Sequence, residues 1–564
     1  MFRDLVGCAI EHAERHGDRA CATIVSRRTP EQSRTFAEIA TAAGRAAAWY
    51  RQAGLSRGDV VLFLGTHHID LYAAWLGCLW CGGVPAILAE PSVRVDRGVY
   101  WSRLNELVQR IDAWGLAVDP RVRKQEPALP AARRVVDYPE IATGTDASPP
   151  APLRPGPDDV MLLQHSSGTT GLQKGVMLTH GAVWRHAESY HTVLRPTERD
   201  VVASWLPLYH DMGFIACFVD ALLLGLPVAW LSPFEWVANP ALLLEAITRH
   251  RATLCWLPNF ALPFLAQRVK PAPGKYDLSS LRAVVNCSEP VSADAMRTFA
   301  ERFASDGLNP AALQTCYAMA ENVFAVTTST DDAPPRTRTL DRRAWVETHR
   351  AVDAVPAAPT IQLLSSGRPV PGVEVRIADA SGKPQPVDVA GSIRIRSPFL
   401  FAGYYRRDDL NAGLFDGDGF YDTGDTGFLD AAGQLYVTGR TKDIVIVGGK
   451  NVYPHDVEAA ATVAGIKPGR VVCFGVHLRD LDTEGLVVLC ESDEPETMWA
   501  DLARSAAAAV PAQLDVDAAD VRIVPTGVLR KSTSGKPARD GNRQWYLEGR
   551  FGPVPHNIDV EGSS

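Results

Sequence analysis

Cysteine is scarce, at ten in 564 residues, too few for the disulfide framework of a secreted scaffold. Most sit in apolar settings, as Cys473 and Cys490 do, where a buried reduced thiol is the ordinary role. Cys78 and Cys81 have CxxC spacing, but no second pair and no nearby histidine cluster completes a zinc site. Long apolar runs are missing too. The longest, residues 221–231, contains a glycine and a proline and is too short to span a bilayer. The first five residues already carry charge and lack the apolar centre of a signal peptide. There is no basic excess either. Lys and Arg number 57 against 65 Asp and Glu, a net charge of −8 that argues against a nucleic-acid partner. Small polyanions stay open, because a pocket needs only a few local cations and backbone N–H groups. No internal repeat of roughly 20–50 residues is visible. The expectation is a reduced, cytoplasmic, soluble protein with no membrane span.

What is present reads as a globular α/β chain. Hydrophobic residues make up 46%, aromatic residues 8% and charged residues 22%, ordinary for a soluble enzyme. The length suggests roughly four structural units. Phe2, Leu5, Val6, Ala9, Ile10 and Ala13 recur at helical spacing, and a second helical pattern covers residues 36–50. Residues 60–64 read as a buried strand and 69–81 as a helix ending at Gly82-Gly83. Strand-like and helix-like runs keep alternating, at 201–206, 242–250 and 281–286, which predicts helices covering largely parallel sheets. Residues 119–159 and 331–359, rich in proline and charge, read as irregular connections at the surface. After Gly391 short alternating runs at 392–396 and 434–438 read as half-exposed antiparallel strands. The last 15 residues are polar and expected to fray.

The strongest local signal follows the apolar residues 160–163. Ser166, Ser167, Gly168, Thr169, Thr170, Gly171, Lys174 and Gly175 form a hydroxyl- and glycine-rich loop. Glycine lets the backbone approach phosphate oxygens, successive N–H groups form an anion nest, and Lys174 adds a point charge. The spacing is not that of a Walker loop. Lys536 lies in a second Ser/Gly-rich loop, which taken alone reads as a solvated surface charge. Asp425 ends a tight turn, suited either to accept from vicinal ribose hydroxyls or to brace the loop itself. No G-x-S-x-G elbow is present.

Together these segments carry a resemblance that none carries alone. SSGTTGLQKG, NCSEP, YAMAE, YDTGD, GRTKD and STSGK stand in the order used by the acyl-adenylate-forming superfamily of acyl-CoA synthetases, adenylation domains and luciferases. More narrowly, SWLPLYHDMG at 204–213, EPV at 289–291 and SGRP at 366–369 resemble the fatty acyl-AMP ligases. The tail SGKPAR with QWYLEG agrees.

The resemblance implies an α/β fold in two domains. Residues 1–441 would form a large domain of two α/β subdomains and a small β-barrel-like one. Residues 442–564 would form a small mobile α/β lid, hinged near Lys442. It implies ATP and Mg2+ as cofactors. Ser167, Thr169 and Thr170 would hold the β- and γ-phosphates, within a loop that also includes Ser166, Gly168, Gly171 and Lys174. Glu321, with Thr169, would bind Mg2+. Ser288, Glu289, Pro290 and Tyr317 would flank the adenine, with Ala318, Met319 and Ala320 beside the nucleotide. Asp425 would take the ribose hydroxyls, helped by Arg440, and Lys536 would reach between the carboxylate and the α-phosphate. His210 would border the reacting carboxylate, while Met212, Ile215, Phe218 and Phe260 would line an acyl pocket. The departures from the family pattern are Gln173 for proline, Ala318 for glycine and His165 for an aromatic residue. None removes a charged catalytic residue, and the Ala318 methyl would narrow the pocket.

The product is less legible. The stretch 321–367 is long and carries Arg336, Arg338, Arg342, Arg343 and His349. It resembles the insertion of acyl-AMP ligases, which implies poor CoA use and transfer of the acyl group to an acyl carrier protein or another thiolation partner. A tolerated surface loop is the plain alternative. An acyl-CoA ligase is the second reading, since Gly448-Gly449 lies where such enzymes admit pantetheine. An inactive nucleotide-binding scaffold is the third. The apolar candidates favour a fatty, polyketide-like, aromatic or terpenoid acid.

Overall fold

The computed structural model describes residues 2–65, 67–90, 97–125, 134–145, 147–165, 174–288, 291–329, 334–356, 358–443, 445–447, 450–463, 465–467, 469–478, 483–514, 516–531 and 537–559. Local rules set the first elements. Asp4 caps the helix Leu5–His16 by accepting from the Gly7 N–H at 2.8 Å. Thr35 and Glu38 form a reciprocal capping box that starts the helix Phe36–Gln52. That helix is alanine-rich where it meets Leu71–Trp80, a helix buried along almost its whole length. The approach requires glycine, because a Cβ at Gly77 would stand 2.5 Å from that of Ala46.

Among the described residues the main sheet has nine strands. Leu313–Ala318, Ala283–Cys287, Leu254–Pro258, Val202–Ser204, Val228–Leu231 and Ala20–Val25 are parallel neighbours in that order. Antiparallel strands close both edges: Ala325–Thr328 then Arg368–Pro369 on one side, and Gln32–Thr35 on the other. A second sheet, Val84–Leu88, Val60–Leu64, Gly115–Val118 and Val135–Asp137, is wholly parallel, with the hairpin Val160–His165 and Gly175–Thr179 against its edge. The β-rich unit is a four-stranded antiparallel sheet of Glu374–Ala378, Gly391–Arg396, Tyr421–Leu429 and Leu435–Arg440. Residues 445–558 build two further cores around the sheet Val471–Leu478, Thr483–Ser492 and Ala518–Pro525. Among the described residues no helix is long and apolar enough to cross a membrane.

Three expectations are corrected. Residues 119–159 are not merely a surface connection, since they contribute the strand Val135–Asp137 and the helix Tyr138–Thr143, whose Tyr138 and Ile141 are buried. The described part of 331–359 is not irregular. The strand Thr337–Asp341 pairs with Thr360–Leu364, and the helix Arg342–Thr348 sits between them, capped by Asp341. The chain end is packed as far as Asp559, because Ile558 enters an apolar core and the Asp559 N–H donates to the His477 carbonyl at 2.9 Å.

Candidate active site

Two sheets meet where the parallel strands end. Leu313–Ala318 carries Tyr317 near its C-terminal end, and the antiparallel strand Tyr421–Leu429 carries Asp425. The Tyr317 hydroxyl donates to Asp425 Oδ2 at 2.5 Å. Register pairs Asp425 with Arg440, whose Nε lies 3.2 Å from Oδ1. Asp425 is 9% exposed, a nearly buried carboxylate held by the Tyr317 hydroxyl and the Arg440 guanidinium. Burial, then the Asp425 charge, raises the Tyr317 phenol well above its ordinary value, so it stays a donor. The same carboxylate holds the Arg440 guanidinium protonated.

Glu321 is displayed by a strained turn. After Ala318 the chain makes one 3₁₀ turn, Ala320–Asn322, and Val323 then adopts φ +65°, a costly conformation for a β-branched residue. Its surroundings over-determine it. The Val323 N–H donates to Ala320 at 3.0 Å, the Phe324 N–H to Asn322 at 2.7 Å and the Met319 N–H to Phe324 at 2.9 Å. Asn322 is itself fixed by the Ser397 hydroxyl at 2.6 Å. The result aims the Glu321 side chain toward Tyr404, whose hydroxyl donates to Oε1 at 3.0 Å. Burial raises the Glu321 pKa, the Tyr404 hydroxyl opposes this, and the Asp211 carboxylate raises it further. Oxygen donors and two acids that repel one another suit a hard divalent cation, so the residues present fit Mg2+.

A third wall comes from residues 204–219. His210 Nδ1 lies 3.1 Å from Asp211 Oδ1, which also accepts the Met212 N–H at 2.8 Å. His210 Nε2 is buried and meets no hydrogen-bond partner among the described residues. Met212–Val219 is a turn of π-helix, a form often found at functional sites. Met212 Sδ stands 3.9 Å from the Ser288 hydroxyl, and Ser288 itself has φ +71° at the end of Ala283–Cys287. Ile215 and Phe218 are fully buried, Phe218 against Tyr72 and Trp75. Phe260 meets the edges of Trp205 and Trp236, two rings stacked 3.7 Å apart.

The structure thus brings together Tyr317, Glu321, Asp425 and Arg440, with Lys174 beside Tyr404. Ala318, Met319 and Ala320 form the link between Tyr317 and Glu321, half-buried against the core. Ser166, Ser167, Gly168, Thr169, Thr170, Gly171, Glu289, Pro290 and Lys536 lie outside the described residues. Burial of His165 depresses its imidazole to about 4, so it packs as a neutral ring. Cys78 and Cys81 are free thiols pushed up by burial, Cys81 to about 11, which leaves them inert. Sequence reasoning missed Tyr404, Tyr421 and Asp211. The signal for the first was Gly403-Tyr404-Tyr405, which reads as ordinary packing until Glu321 is placed beside it.

Known proteins resemble this chain over most of its length. The model of the AMP-binding enzyme family matches residues 10–405. The long-chain-fatty-acid–AMP ligase FadD32 of Mycolicibacterium smegmatis is 28% identical over 576 residues, covering 93% of this chain and 91% of its own. The medium-chain-fatty-acid–[acyl-carrier-protein] ligase JamA of Moorena producens is 28% identical over 547 residues, covering 92% and 91%. A structure from work on fatty acyl-adenylate ligases of E. coli and L. pneumophila superposes with a TM-score of 0.89 at 25% identity, covering 97% of this chain and 98% of that one. With the family model matched over more than half of its length, the chain belongs to the AMP-binding enzyme family.

Proposed function

We propose that this chain uses ATP and Mg2+ to convert an apolar carboxylic acid to its acyl-adenylate, releasing pyrophosphate, and passes the acyl group to a carrier protein. The observation that carries the first half is the convergence of Tyr317, Glu321, Asp425 and Arg440 from separate elements. Asp425 takes the ribose hydroxyls and Tyr317 flanks the adenine. Glu321, with Thr169, holds the metal. Magnesium, when bound, supplies positive charge to the phosphates. Lys174 and the loop 166–171 hold the β- and γ-phosphates, so that pyrophosphate leaves in line. Lys536 draws the acid's carboxylate onto the α-phosphorus, and His210 Nε2 is available to orient it. No general base is needed, because the acid is already ionised at neutral pH. Catalysis is positioning and charge neutralisation. Met212, Ile215 and Phe260 bound the acyl end, and the Ala318 methyl narrows it. Residues 1–441 act as the main domain and 442–564 as the lid, in the cytoplasm.

The second half rests on the inserted hairpin. Trp345 on the helix Arg342–Thr348 packs on Phe428, and both Trp345 and His349 meet the Tyr453 ring beyond the expected hinge, at 6.5 and 6.2 Å. Such contacts favour one lid position and disfavour the rotation that thioester formation with CoA requires. The relatives FadD32 and JamA, named as an AMP ligase and a carrier-protein ligase, support the same reading. The test is pyrophosphate release over a panel of aliphatic and aromatic acids, each alone, with CoA and with a holo carrier protein. Adenylate formation with transfer to the carrier supports the proposal. Rapid acyl-CoA formation would establish the acyl-CoA ligase instead, and no exchange with any acid would leave a nucleotide-binding scaffold.

A further inference from the structure

Tyr404 belongs to none of the segments that carry the family resemblance, yet it touches both charges of the phosphate site. Its backbone is tied to the strand that leaves the phosphate loop. The Ala402 N–H donates to the Met177 carbonyl at 2.9 Å, the Met177 N–H to Gly403 at 2.9 Å and the Tyr405 N–H to Gly175 at 2.8 Å. The ring is 6% exposed and meets the Phe401 ring edge-on at 5.0 Å. Lys174 Nζ stands over its face, 5.1 Å from the centroid. Its hydroxyl donates to Glu321 Oε1 at 3.0 Å and lies 3.1 Å from the Tyr421 hydroxyl. A phenol has one proton to give, so Tyr421 is the donor to Tyr404 and the chain of hydroxyls ends on Glu321. Three residues before Tyr404, the same loop also holds the glutamate's main chain, since the Phe401 N–H donates to the Glu321 carbonyl at 2.8 Å.

We propose that Tyr404 is a positioning residue that keeps Lys174 and Glu321 apart and aims both at the metal–triphosphate before nucleotide arrives. The inference rests on the reading above, in which Glu321 holds magnesium and Lys174 a phosphate. A half-buried lysine and a half-buried glutamate on neighbouring segments attract one another. Paired directly, each would neutralise the other, and neither would be free for metal or phosphate. The ring gives the ammonium a face to rest on, and the hydroxyl fixes one carboxylate oxygen while leaving the other to the cation.

The test uses the full chain, Mn2+ as a spectroscopic substitute for magnesium, and α,β-methylene-ATP, with bound Mn2+ read by electron paramagnetic resonance. Tyr404→Phe keeps the spacer and loses the orienting hydroxyl, so Mn2+ binding should weaken roughly ten-fold, the scale of one hydrogen bond to a charged group. Metal-free nucleotide binding should stay at the wild-type value, and the melting temperature should fall only by what the loss of that hydrogen bond costs the fold. Tyr404→Ala should weaken both Mn2+ and metal-free nucleotide binding, because Lys174 then collapses onto Glu321. Adding Lys174→Ala to that variant should recover Mn2+ affinity. Mn2+ binding by Tyr404→Phe within twofold of wild type overturns the proposal, as does a double variant that binds Mn2+ no better than Tyr404→Ala. Wild-type protein that binds no Mn2+ with nucleotide overturns the metal reading and this proposal together. Wild-type protein that binds Mn2+ but exchanges pyrophosphate with no acid overturns only the proposed activity.

Discussion

On the proposed assignment of the ribose to Asp425, whose carboxylate Tyr317 and Arg440 already occupy, substitution of Asp425 should weaken ATP binding while substitution of Tyr317 should not. Asp425 accepts from Tyr317 at 2.5 Å and faces Arg440 Nε at 3.2 Å. Hydrogen bonds to a charged group contribute about 1.5–3 kcal/mol each. Asp425→Ala removes two acceptors for the ribose hydroxyls, a gross loss of about 3–6 kcal/mol. Part of that loss is offset, because the wild-type carboxylate must first release its internal donors. The low end applies, and ATP binding should weaken by roughly 100-fold, since about 1.4 kcal/mol is a factor of ten. The ribose bonds exist in ground and transition states alike, so KM for ATP should rise while kcat at saturation stays within a few-fold. Tyr317→Phe keeps the ring and removes a competitor. ATP should bind as tightly as to the parent, or more tightly, while the folded state loses about 1.5–3 kcal/mol. Calorimetric ATP titration with urea unfolding of both variants checks this. Asp425→Ala that binds ATP within threefold of the parent, or Tyr317→Phe that loses affinity in parallel with it, refutes the assignment.

Three other outcomes follow from the packing. Neither carboxyl oxygen of buried Asp220 is hydrogen-bonded among the described residues, and burial pushes its pKa to about 8. The folded state therefore holds a proton that the unfolded chain releases near pH 4, and stability drains away as pH rises from about 4 to 8. Asp220→Asn should be more stable than the parent at pH 8, by up to about 5 kcal/mol, and the gap should close near pH 4. Urea titrations at both pH values that show one constant gap would contradict this. Gly367 has φ +91°, and a Cβ there would stand 1.9 Å from the Thr328 carbonyl carbon. Gly367→Ala should thus cost more than about 4 kcal/mol and show as loss of cooperative unfolding, whereas wild-type unfolding would sink the argument. Trp345→Ala removes a ring that is 2% exposed and packs on Phe428 and Tyr453, a local loss of about 3–5 kcal/mol. Acyl-CoA formation should rise several-fold while adenylate formation holds. Unchanged product ratios by chromatography would show that the helix does not restrain the lid.

Much of this architecture is legible in the residues, though not its long-range pairings. Val60–Leu64 is a strand as its unbroken apolar run predicts, and the helix expected over 69–81 runs from Leu71 to Trp80. Both are continuous patterns that tertiary context had no reason to override. Val135–Asp137 escaped notice because three residues set among proline and arginine show no periodicity. The strand pair Thr337–Asp341 and Thr360–Leu364 hid for a related reason. Its strand Thr337–Asp341 alternates arginine with threonine and buries little besides Leu340. Site residues fared by the same logic. Glu321 and Asp425 sit in contiguous motifs, whereas the Tyr317–Asp425 bond spans 108 positions and the Tyr404–Glu321 bond 83. Such pairings are set by which strands pack together, and no spacing in the chain encodes them.

The central claim is that opposing anions are brought together so that a carboxylate displaces pyrophosphate from ATP. Exchange of labelled pyrophosphate into ATP, measured acid by acid with and without magnesium, tests it directly. The account predicts exchange that requires both an apolar acid and the metal, and that Lys536→Ala nearly abolishes it while nucleotide still binds. Label incorporation independent of the acid, or undiminished in Lys536→Ala, would contradict it.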